Sequence, residues 1–321
     1  MPVVAVLRGG VGEEHDISLK TGFNVIKRLE KSPYRPIDVY IDRAGVWHVR
    51  GIPMAPTRAL SGTDVVFNAL HGQYGEDGTV QRELDRLGVA YTGSGAFASS
   101  VAMNKVLTKD ILATHGVRMP RHIKLTVTSD LDKVTLELWR TFSQPSVIKP
   151  VNSGSSVGVT LARSYNEFVT GIRKAFGYAK EILVEEYIKG REATVGVIDK
   201  FRNKKLYDLP PVEIILPQAA FILDYDTKCA GGVAGLCPAP FDRSVVEELQ
   251  SSAALVHEAL GLRHYSRSDF IVTPKNQVYF LETNSLPGLS DEAPLPQSLI
   301  AVGSNMDEFL VHVIGMALEK K

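Results

Sequence analysis

Short apolar runs alternate with stretches of helical spacing along the first hundred residues. Residues 3–7 form a β-branched apolar run that ends at Gly9-Gly10, and apolar positions then recur at helical spacing from about 17 to 29. A strand followed by a helix is the repeating unit of a parallel sheet. We predict further strands at 37–41 and 65–70 and a helix at 79–87. The pattern therefore predicts a small doubly wound α/β domain, in which ligands bind at the carboxyl ends of the strands.

The pattern changes near residue 105, where a second domain is predicted to begin. The expected helices lie at 104–115, 245–260 and 306–319, and the expected strands at 122–126, 146–149, 182–187 and 193–197. The chain after residue 197 is expected to mix strands with these last two helices. No internal repeat, low-complexity segment or long linker interrupts the pattern.

Three oxygen-bearing side chains fall on a predicted β-hairpin near the C-terminal end. Glu282 and Asn284 are two positions apart, so they share a strand face, and a turn at 274–277 folds Asp269 back towards them. Hard oxygen ligands favour Mg²⁺, usually held with substrate phosphates, over zinc or copper. Alternating acidic residues are also typical of a solvated strand face. A magnesium site becomes the favoured interpretation only when the hairpin is considered together with the other motifs in the chain.

Two further segments suit a nucleotide. Lys149 ends a predicted strand, and the small-residue loop at 150–158 offers backbone N–H groups to a phosphate, although an ordinary Gly/Ser hairpin would have the same composition. The acidic residues at the end of the next strand could accept hydrogen bonds from ribose hydroxyls. They are equally typical of a polar strand terminus without a ligand. His71 lies among three glycines and two acids, a density that indicates unusual backbone dihedrals and close ligand approach.

Composition limits the classes of partner. Lysine plus arginine and aspartate plus glutamate are 36 each among 321 residues, so there is no overall electrostatic footprint for nucleic acid or an anionic membrane. We expect neither a signal peptide nor a membrane span. Two cysteines, Cys229 and Cys237, form no disulfide framework and fit a reducing cytoplasm. We expect a cytoplasmic enzyme with small-molecule substrates.

Several motifs occur in the order found in D-alanine:D-alanine ligases, members of the ATP-grasp superfamily, which the chain resembles over nearly its whole length. They are Gly9-Gly10, Glu14-His15, Ser18-Leu19, His71-Gly72, Gly75-Glu76-Asp77-Gly78, 91–95, Met103-Asn104-Lys105, 149–158, Gly190-Arg191-Glu192 and 267–288. Such ordered agreement is far more specific than any one motif. The resemblance implies an α/β ATP-grasp fold: an N-terminal doubly wound, Rossmann-like pre-ATP-grasp domain (1–104), a central subdomain (105–190) and a C-terminal subdomain (191–321) with the metal and acceptor sites.

The resemblance also implies a reaction and a role for each matching residue. ATP phosphorylates one D-alanine, and a second D-alanine attacks the acyl phosphate, giving D-alanyl-D-alanine for peptidoglycan. The donor would contact Glu14 and His71, and Ser155 would belong to a hydrogen-bonded triad. The nucleotide would contact Lys105, Lys149, Ser156, Glu185, Glu192 and Lys228, and two Mg²⁺ ions, or Mn²⁺ as a substitute, would be held by Asp269, Glu282 and Asn284. The oxyanion would be stabilised by Arg267 and the Gly288 N–H, and the acceptor would contact Ala293 and Pro294. A homodimer is also implied.

Two positions depart from the family pattern. The acceptor carboxylate is usually bound by a Ser-Leu pair, where an ungapped count places Ala293-Pro294, which lack the hydroxyl and the N–H. Either the acceptor is bound differently or is not D-alanine, or a local slip lets Ser290 serve. Cys229 replaces the tyrosine that usually completes the triad with Glu14 and Ser155, which predicts a looser lid over 219–235.

The sequence is therefore compatible with three functions. The first is D-alanine:D-alanine ligation, and the second is a related ligase that makes another dipeptide or a depsipeptide. The third is a nucleotide-binding protein without ligase activity. Retention of the lysines, Arg267 and the three metal-site residues argues against the third, because binding alone would not need the whole set.

Overall fold

A computed structural model describes residues 1–127, 130–154, 156–217 and 234–319. Three β-sheets follow one another along the chain, with helices against each. The α/β class predicted from the sequence is confirmed. Ser155, Lys228 and Cys229 lie outside the described residues, as does most of the segment predicted to be a lid.

The first sheet is parallel in its centre and belongs to the first hundred residues. Its strands are β1 (Val3–Gly9), β2 (Arg35–Ile41), β3 (Trp47–Val49), β4 (Ile52–Met54), β5 (Val65–Asn68) and β6 (Ala90–Tyr91), in the order β4-β3-β2-β1-β5-β6. Its helices are α1 (His15–Leu29), α2 (Pro56–Ala59), α3 (Thr79–Leu87) and α4 (Ala96–Met103). Val4 to Leu7 are fully buried, as expected for a parallel strand covered on both faces. β3 and β4 add an antiparallel edge that the sequence pattern did not predict, because each has only three residues.

The second sheet is antiparallel, with strand order β7-β10-β8-β9. Its elements are α5 (Lys105–Ala113), β7 (His122–Thr126), α6 (Leu131–Thr141), β8 (Ser146–Pro150), β9 (Thr160–Ala162), α7 (Tyr165–Phe176) and β10 (Glu181–Glu186). Ser164 and Glu167 form a reciprocal capping box that fixes the start of α7. Phe168 and Ile172 then bury the inner face of α7 against the sheet, and the opposite face of the sheet is left towards the site.

The third sheet carries the predicted hairpin. Its strands are β11 (Arg191–Asp199), β12 (Leu206–Asp208), β13 (Val212–Ile215), β14 (Ala234–Leu236), β15 (Tyr265–Val272) and β16 (Val278–Asn284), in the order β14-β13-β11-β15-β16 with β12 also on β11. The helices in this part of the chain are α8 (Arg243–Ala259), α9 (Pro294–Ala301) and α10 (Met306–Leu318), of which α10 packs against β5, β6 and α1. β15 and β16 are joined by a turn in which Asn276 has a φ of 58°, a left-handed conformation that asparagine tolerates.

Helix α9 corrects the sequence interpretation, which allowed only two helices after the strands. Pro294 and Pro296 indicate a break in a helical pattern, yet both lie in the first turn, where the N–H groups have no partner within the helix. Leu295 and Leu299 of α9 are buried in a core shared with α1, β1 and α10. This shared core packs the first sheet against the end of the chain.

In the described part of the chain, no single helix is long and apolar enough to cross a membrane. The pair α9 and α10 passes that test only when joined across a 104° bend, by length and composition alone. Their buried residues belong to the shared core.

Replacing Leu299 with alanine tests α9. Leu299 is fully buried, so we expect Leu299→Ala to lower the free energy of unfolding by about 2 to 5 kcal/mol, the usual cost of such a cavity. The neighbouring Ile300 is 67% exposed, so Ile300→Ala is the matched control and should change little. Urea unfolding of both variants checks this, and equal effects would contradict the position of α9.

Candidate active site

A cavity of about 680 Å³ opens between the three sheets. Its walls include Glu14, His71 and Glu76 from the first part of the chain, Lys105, Lys149, Ser156 and Glu185 from the second, and Glu192, Thr194, Arg267, Asp269, Glu282, Asn284, Gly288 and Pro294 from the third. The cavity therefore brings together nearly all the described residues that the sequence singled out. Ala293 is adjacent to the lining residue Pro294.

The hairpin places its polar side chains as the strand alternation predicts. Asp269 is opposite Glu282 in the register, and Arg267 is opposite Asn284. The Arg267 guanidinium donates to both carboxylate oxygens of Asp269, at 3.0 and 2.9 Å. Asn284 Nδ2 donates to Asp269 Oδ2 at 3.1 Å, which leaves the amide oxygen of Asn284 available to a metal. The orientation of this side chain suits a cation ligand.

Thr194 also orients the Asp269 carboxylate and was not predicted from the sequence. Its hydroxyl donates to Asp269 Oδ1 at 2.5 Å. Thr194 is two residues after Glu192 on β11, so strand alternation from that glutamate would have found it. Among the described residues, no three His, Cys, Asp or Glu side chains converge as a metal site. Two carboxylates and one amide oxygen are a set that fits Mg²⁺ and suits zinc poorly.

Lys105 connects the start of α5 to the hairpin. Its ammonium donates to the Ser153 carbonyl at 2.6 Å and lies 3.3 Å from a Glu282 carboxylate oxygen. Only 8% of its side chain is exposed. The small-residue loop after β8, strand β16 and the Lys105 ammonium are thus held together at one wall of the cavity.

Glu185 is sandwiched between two lysines. Lys149 Nζ lies 2.8 Å from one of its carboxylate oxygens, and Lys109 Nζ lies 2.9 Å from the other. Burial alone would raise the pKa of Glu185, but the two ammonium groups outweigh it and lower that pKa to about 2. Glu185 is therefore ionised, and its carboxylate is occupied by lysines. Lys109 was not predicted from the sequence; it is four residues after Lys105 and therefore lies on the same side of α5.

His71 makes two contacts with protein atoms. Its Nδ1 is 2.9 Å from the Leu286 carbonyl, and its Nε2 is 2.8 Å from the Thr21 hydroxyl. Because a carbonyl can only accept, Nδ1 carries the hydrogen, and Nε2 accepts from Thr21. Burial lowers the pKa of His71, so the ring is neutral. His71 therefore ties the first sheet to the segment after β16.

Glu76 holds the same segment through the Leu286 N–H. Its Oε1 accepts from the Leu286 N–H at 2.8 Å, and its Oε2 accepts from the Gly72 N–H at 2.9 Å. Leu286 is two residues before Gly288, so Glu76 and His71 together fix the backbone that leads to Gly288. Burial raises the pKa of Glu76 to about 7.

Glu14 lies between two loops that require glycine. A Cβ on Gly72 or on Gly154 would collide with the Glu14 carboxylate. Gly72 also has a φ of +63°, which favours glycine. The loop after β5 and the loop after β8 can therefore both approach this carboxylate closely.

Residues 293 and 294, which the sequence resemblance assigns to the acceptor, lie at the start of α9. Pro294 is the first residue of α9 and lines the cavity, and the Ala293 N–H donates to the Ser290 carbonyl at 2.9 Å. Pro296 also lacks an N–H, so the first turn of α9 offers few donors. Asp291 pairs with Arg28 on α1 at 2.7 Å, which offsets its negative charge.

Comparison with known proteins decides the family. A model of the D-Ala D-Ala ligase C-terminus matches residues 111–315, and a model of the D-Ala D-Ala ligase N-terminus matches residues 48–94. D-alanine–D-alanine ligases of Syntrophotalea carbinolica and Geobacter sulfurreducens are each 35% identical over 319 residues, covering 99% of this chain and 97% and 94% of their own lengths. The chain belongs to the D-alanine–D-alanine ligase family. Membership confirms the resemblance and implies use of ATP and Mg²⁺.

Solved ligases of this family share the fold over their full lengths. The VanG D-Ala:D-Ser ligase from Enterococcus faecalis is 25% identical with a TM-score of 0.85, covering 98% of this chain and 99% of its own. D-alanyl-alanine synthetase A from Vibrio cholerae is 27% identical with a TM-score of 0.85, covering 99% and 98%. The ATP-grasp fold expected for the ligase family is confirmed.

Glu76→Gln tests the environment of that carboxyl group. A folded-state pKa of about 7, above the ordinary 4.5, means that the folded protein binds this proton more tightly than the unfolded chain. The resulting stability is fully present below pH 4.5 and is lost as pH rises through about 7. Because glutamine does not titrate, the stability difference should move in the variant's favour over this range. Denaturant midpoints against pH measure it, and parallel curves would contradict the assignment.

Proposed function

We propose that this protein joins two D-alanines into D-alanyl-D-alanine at the expense of ATP, as a step in making the peptidoglycan precursor for cell-wall biogenesis. The observation that carries the proposal is the cavity itself. It combines buried lysines for phosphates, hard oxygen ligands for a metal and a fixed arginine, in a chain whose family is that of D-alanine–D-alanine ligases.

The donor D-alanine binds beside the first sheet. Glu14 receives its ammonium, supported by Ser155, and His71 borders its carboxylate. That carboxylate attacks the γ-phosphorus of ATP, and ADP leaves. The acceptor amine then attacks the acyl carbon, loses a proton, and inorganic phosphate leaves as the peptide bond forms. His71 and Glu76 support this by holding the Leu286 backbone, which leads to Gly288.

The nucleotide lies between the second and third sheets. Lys105 and Lys149 face the phosphates, with the Ser156 loop closing over them, and Glu192 receives the ribose. Lys228, which lies outside the described residues, is assigned to the transferred γ-phosphate by the family pattern alone. The Glu185 carboxylate is held by lysines, so the adenine contact falls to the backbone that follows it. This arrangement suits a polyanion, because lysines form compact charges that bind phosphate oxygens.

Asp269, Glu282 and Asn284 would hold two Mg²⁺ ions, for which Mn²⁺ can substitute. Bound there, the metal neutralises negative charge on the phosphates during transfer. Arg267 and the Gly288 N–H stabilise the tetrahedral oxyanion. Arginine suits this role because its charge is permanent and its donors are planar.

The setting of the enzyme is part of the proposal. We propose a cytoplasmic homodimer that needs neither nucleic acid nor membrane. Its domain boundaries follow residues 104 and 190, which fall between the first and second sheets and between the second and third.

A second candidate keeps the phosphorylation step and changes the acceptor. Pro294 lines the cavity and, with Ala293, lacks the donors expected for an acceptor carboxylate. The acceptor would then be another amino acid or a hydroxy acid that forms a depsipeptide.

Phosphate release with product identification separates these functions. With ATP, Mg²⁺ and D-alanine, we expect release of phosphate and a product with the mass of D-alanyl-D-alanine. Release only when a second amino acid or D-lactate is added would establish the altered acceptor. No release with any pair would overturn ligase activity and leave a nucleotide-binding protein.

Restoring the usual pair tests the acceptor position. If Ala293-Pro294 weakens acceptor binding, the double variant Ala293→Ser/Pro294→Leu should lower the KM for the second D-alanine by roughly tenfold, the scale of a regained charged hydrogen bond. Ser290→Ala is the control, because it should leave KM unchanged unless Ser290 serves instead. A KM unchanged in the double variant and raised in the control would favour the local slip.

A further inference from the structure

Lys109 is a buried ammonium behind the wall of the nucleotide site. Its side chain is fully buried, and it does not line the cavity, whereas Lys149 and Glu185 do. Its ionic partner is Glu185, whose carboxylate oxygen lies 2.9 Å from the Lys109 ammonium nitrogen. Lys109 is therefore held by charge and shape, in a place where a lysine is costly to bury.

The charge of Lys109 affects how much of the positive charge of Lys149 is available to a ligand. Glu185 contacts both ammonium groups, so the three side chains together carry one net positive charge. Without Lys109, Glu185 and Lys149 would form a neutral buried pair. A neutral pair offers a phosphate far less attraction than an uncompensated cation does. The second lysine thus leaves the charge of Lys149 available at the cavity.

We propose that Lys109 is a positioning residue for nucleotide binding: it neutralises Glu185 from behind and thereby lets Lys149 present its positive charge to the nucleotide phosphates. The inference rests on the proposed nucleotide site and adds to it a residue that touches no substrate. Burial lowers the pKa of Lys109 below its usual value, and the Glu185 carboxylate opposes that effect, so the charged form of Lys109 depends on that carboxylate.

The location of the three residues supports an electrostatic role over a merely structural one. Lys109 is on α5, Lys149 is at the end of β8 and Glu185 is on the neighbouring strand β10. Lys149 and Glu185 would still pair if Lys109 were removed, so the strands remain connected. What changes is the charge that faces the cavity.

Binding of ADP with Mg²⁺, measured by calorimetry on the full-length protein, tests the proposal. Lys109→Met keeps the length of the side chain and removes its charge, so it should weaken ADP binding by roughly tenfold to a hundredfold, the range of a charged hydrogen bond. Adenosine carries no phosphate, so its affinity, measured by competition with ADP, should not change. Lys109→Arg retains the charge and should bind ADP within about threefold of the wild type.

The double variant Lys109→Met/Glu185→Gln distinguishes charge balance from structural support. Removing both opposite charges restores one net positive charge at Lys149, so ADP binding should return to within about threefold of the wild type. Lys124→Met is the matched control, because Lys124 pairs with Glu181 at 3.0 Å on an exposed part of β10. It should leave ADP binding unchanged.

The outcomes separate this inference from the proposed function. If Lys109→Met binds ADP as tightly as the wild type does, the proposed role of Lys109 is wrong, while the proposed function is unaffected. The role of Lys109 is also wrong if the double variant does not regain ADP affinity, or if Lys109→Met loses as much affinity for adenosine as for ADP. Either result would indicate structural damage, which thermal unfolding of each variant would reveal. Absence of ADP binding by the wild type would overturn the nucleotide site and the proposed function together.

Discussion

The backbone of Leu286 is the junction on which the site depends. Its N–H donates to Glu76 and its carbonyl accepts from His71, so one peptide segment after β16 is held by one loop of the first sheet. Buried backbone groups need partners, so moving either element apart would leave a donor or an acceptor unpaired at appreciable cost. This constraint sets the distance between the first and third sheets and therefore the width of the cavity.

Paired charges explain how such a cavity can be stable before any substrate binds. Asp269 is held by Arg267, Glu282 by Lys105, and Glu185 by two lysines. Buried charges are tolerated when they are paired, and fixed ones need little reorganisation when a charged substrate arrives. On the proposed function, nucleotide phosphates and Mg²⁺ supply new partners for the lysines and carboxylates, so the charges stay balanced throughout binding.

The sequence predicted features that depend on local periodicity. Alternation along β16 placed Glu282 and Asn284 on one face, and the turn before it brought Asp269 opposite. Contacts between distant segments could not be obtained this way. The partners of His71 are Thr21 and Leu286, which are 50 and 215 residues away, and nothing in the spacing links them.

Two further features, helix α9 and the ion pair of Lys109, were not predicted, for identifiable reasons. The first turn of α9 contains two prolines, which favour a break in the pattern although a first helical turn accepts them. Lys109 resembles any lysine on an amphipathic helix until Glu185 is known to lie beside it. Its ion pair is a tertiary feature, because it depends on Glu185 of β10 lying beside α5.

The acyl phosphate is the central claim, and an isotope measurement tests it most directly. D-Alanine labelled with ¹⁸O in both carboxyl oxygens is incubated with ATP, Mg²⁺ and the enzyme, and the released phosphate is analysed by mass spectrometry. If the donor carboxylate attacks the γ-phosphorus, one labelled oxygen leaves with each phosphate as the peptide bond forms. Phosphate released without label would mean that water, rather than the donor carboxylate, accepts the phosphoryl group, and would contradict the account.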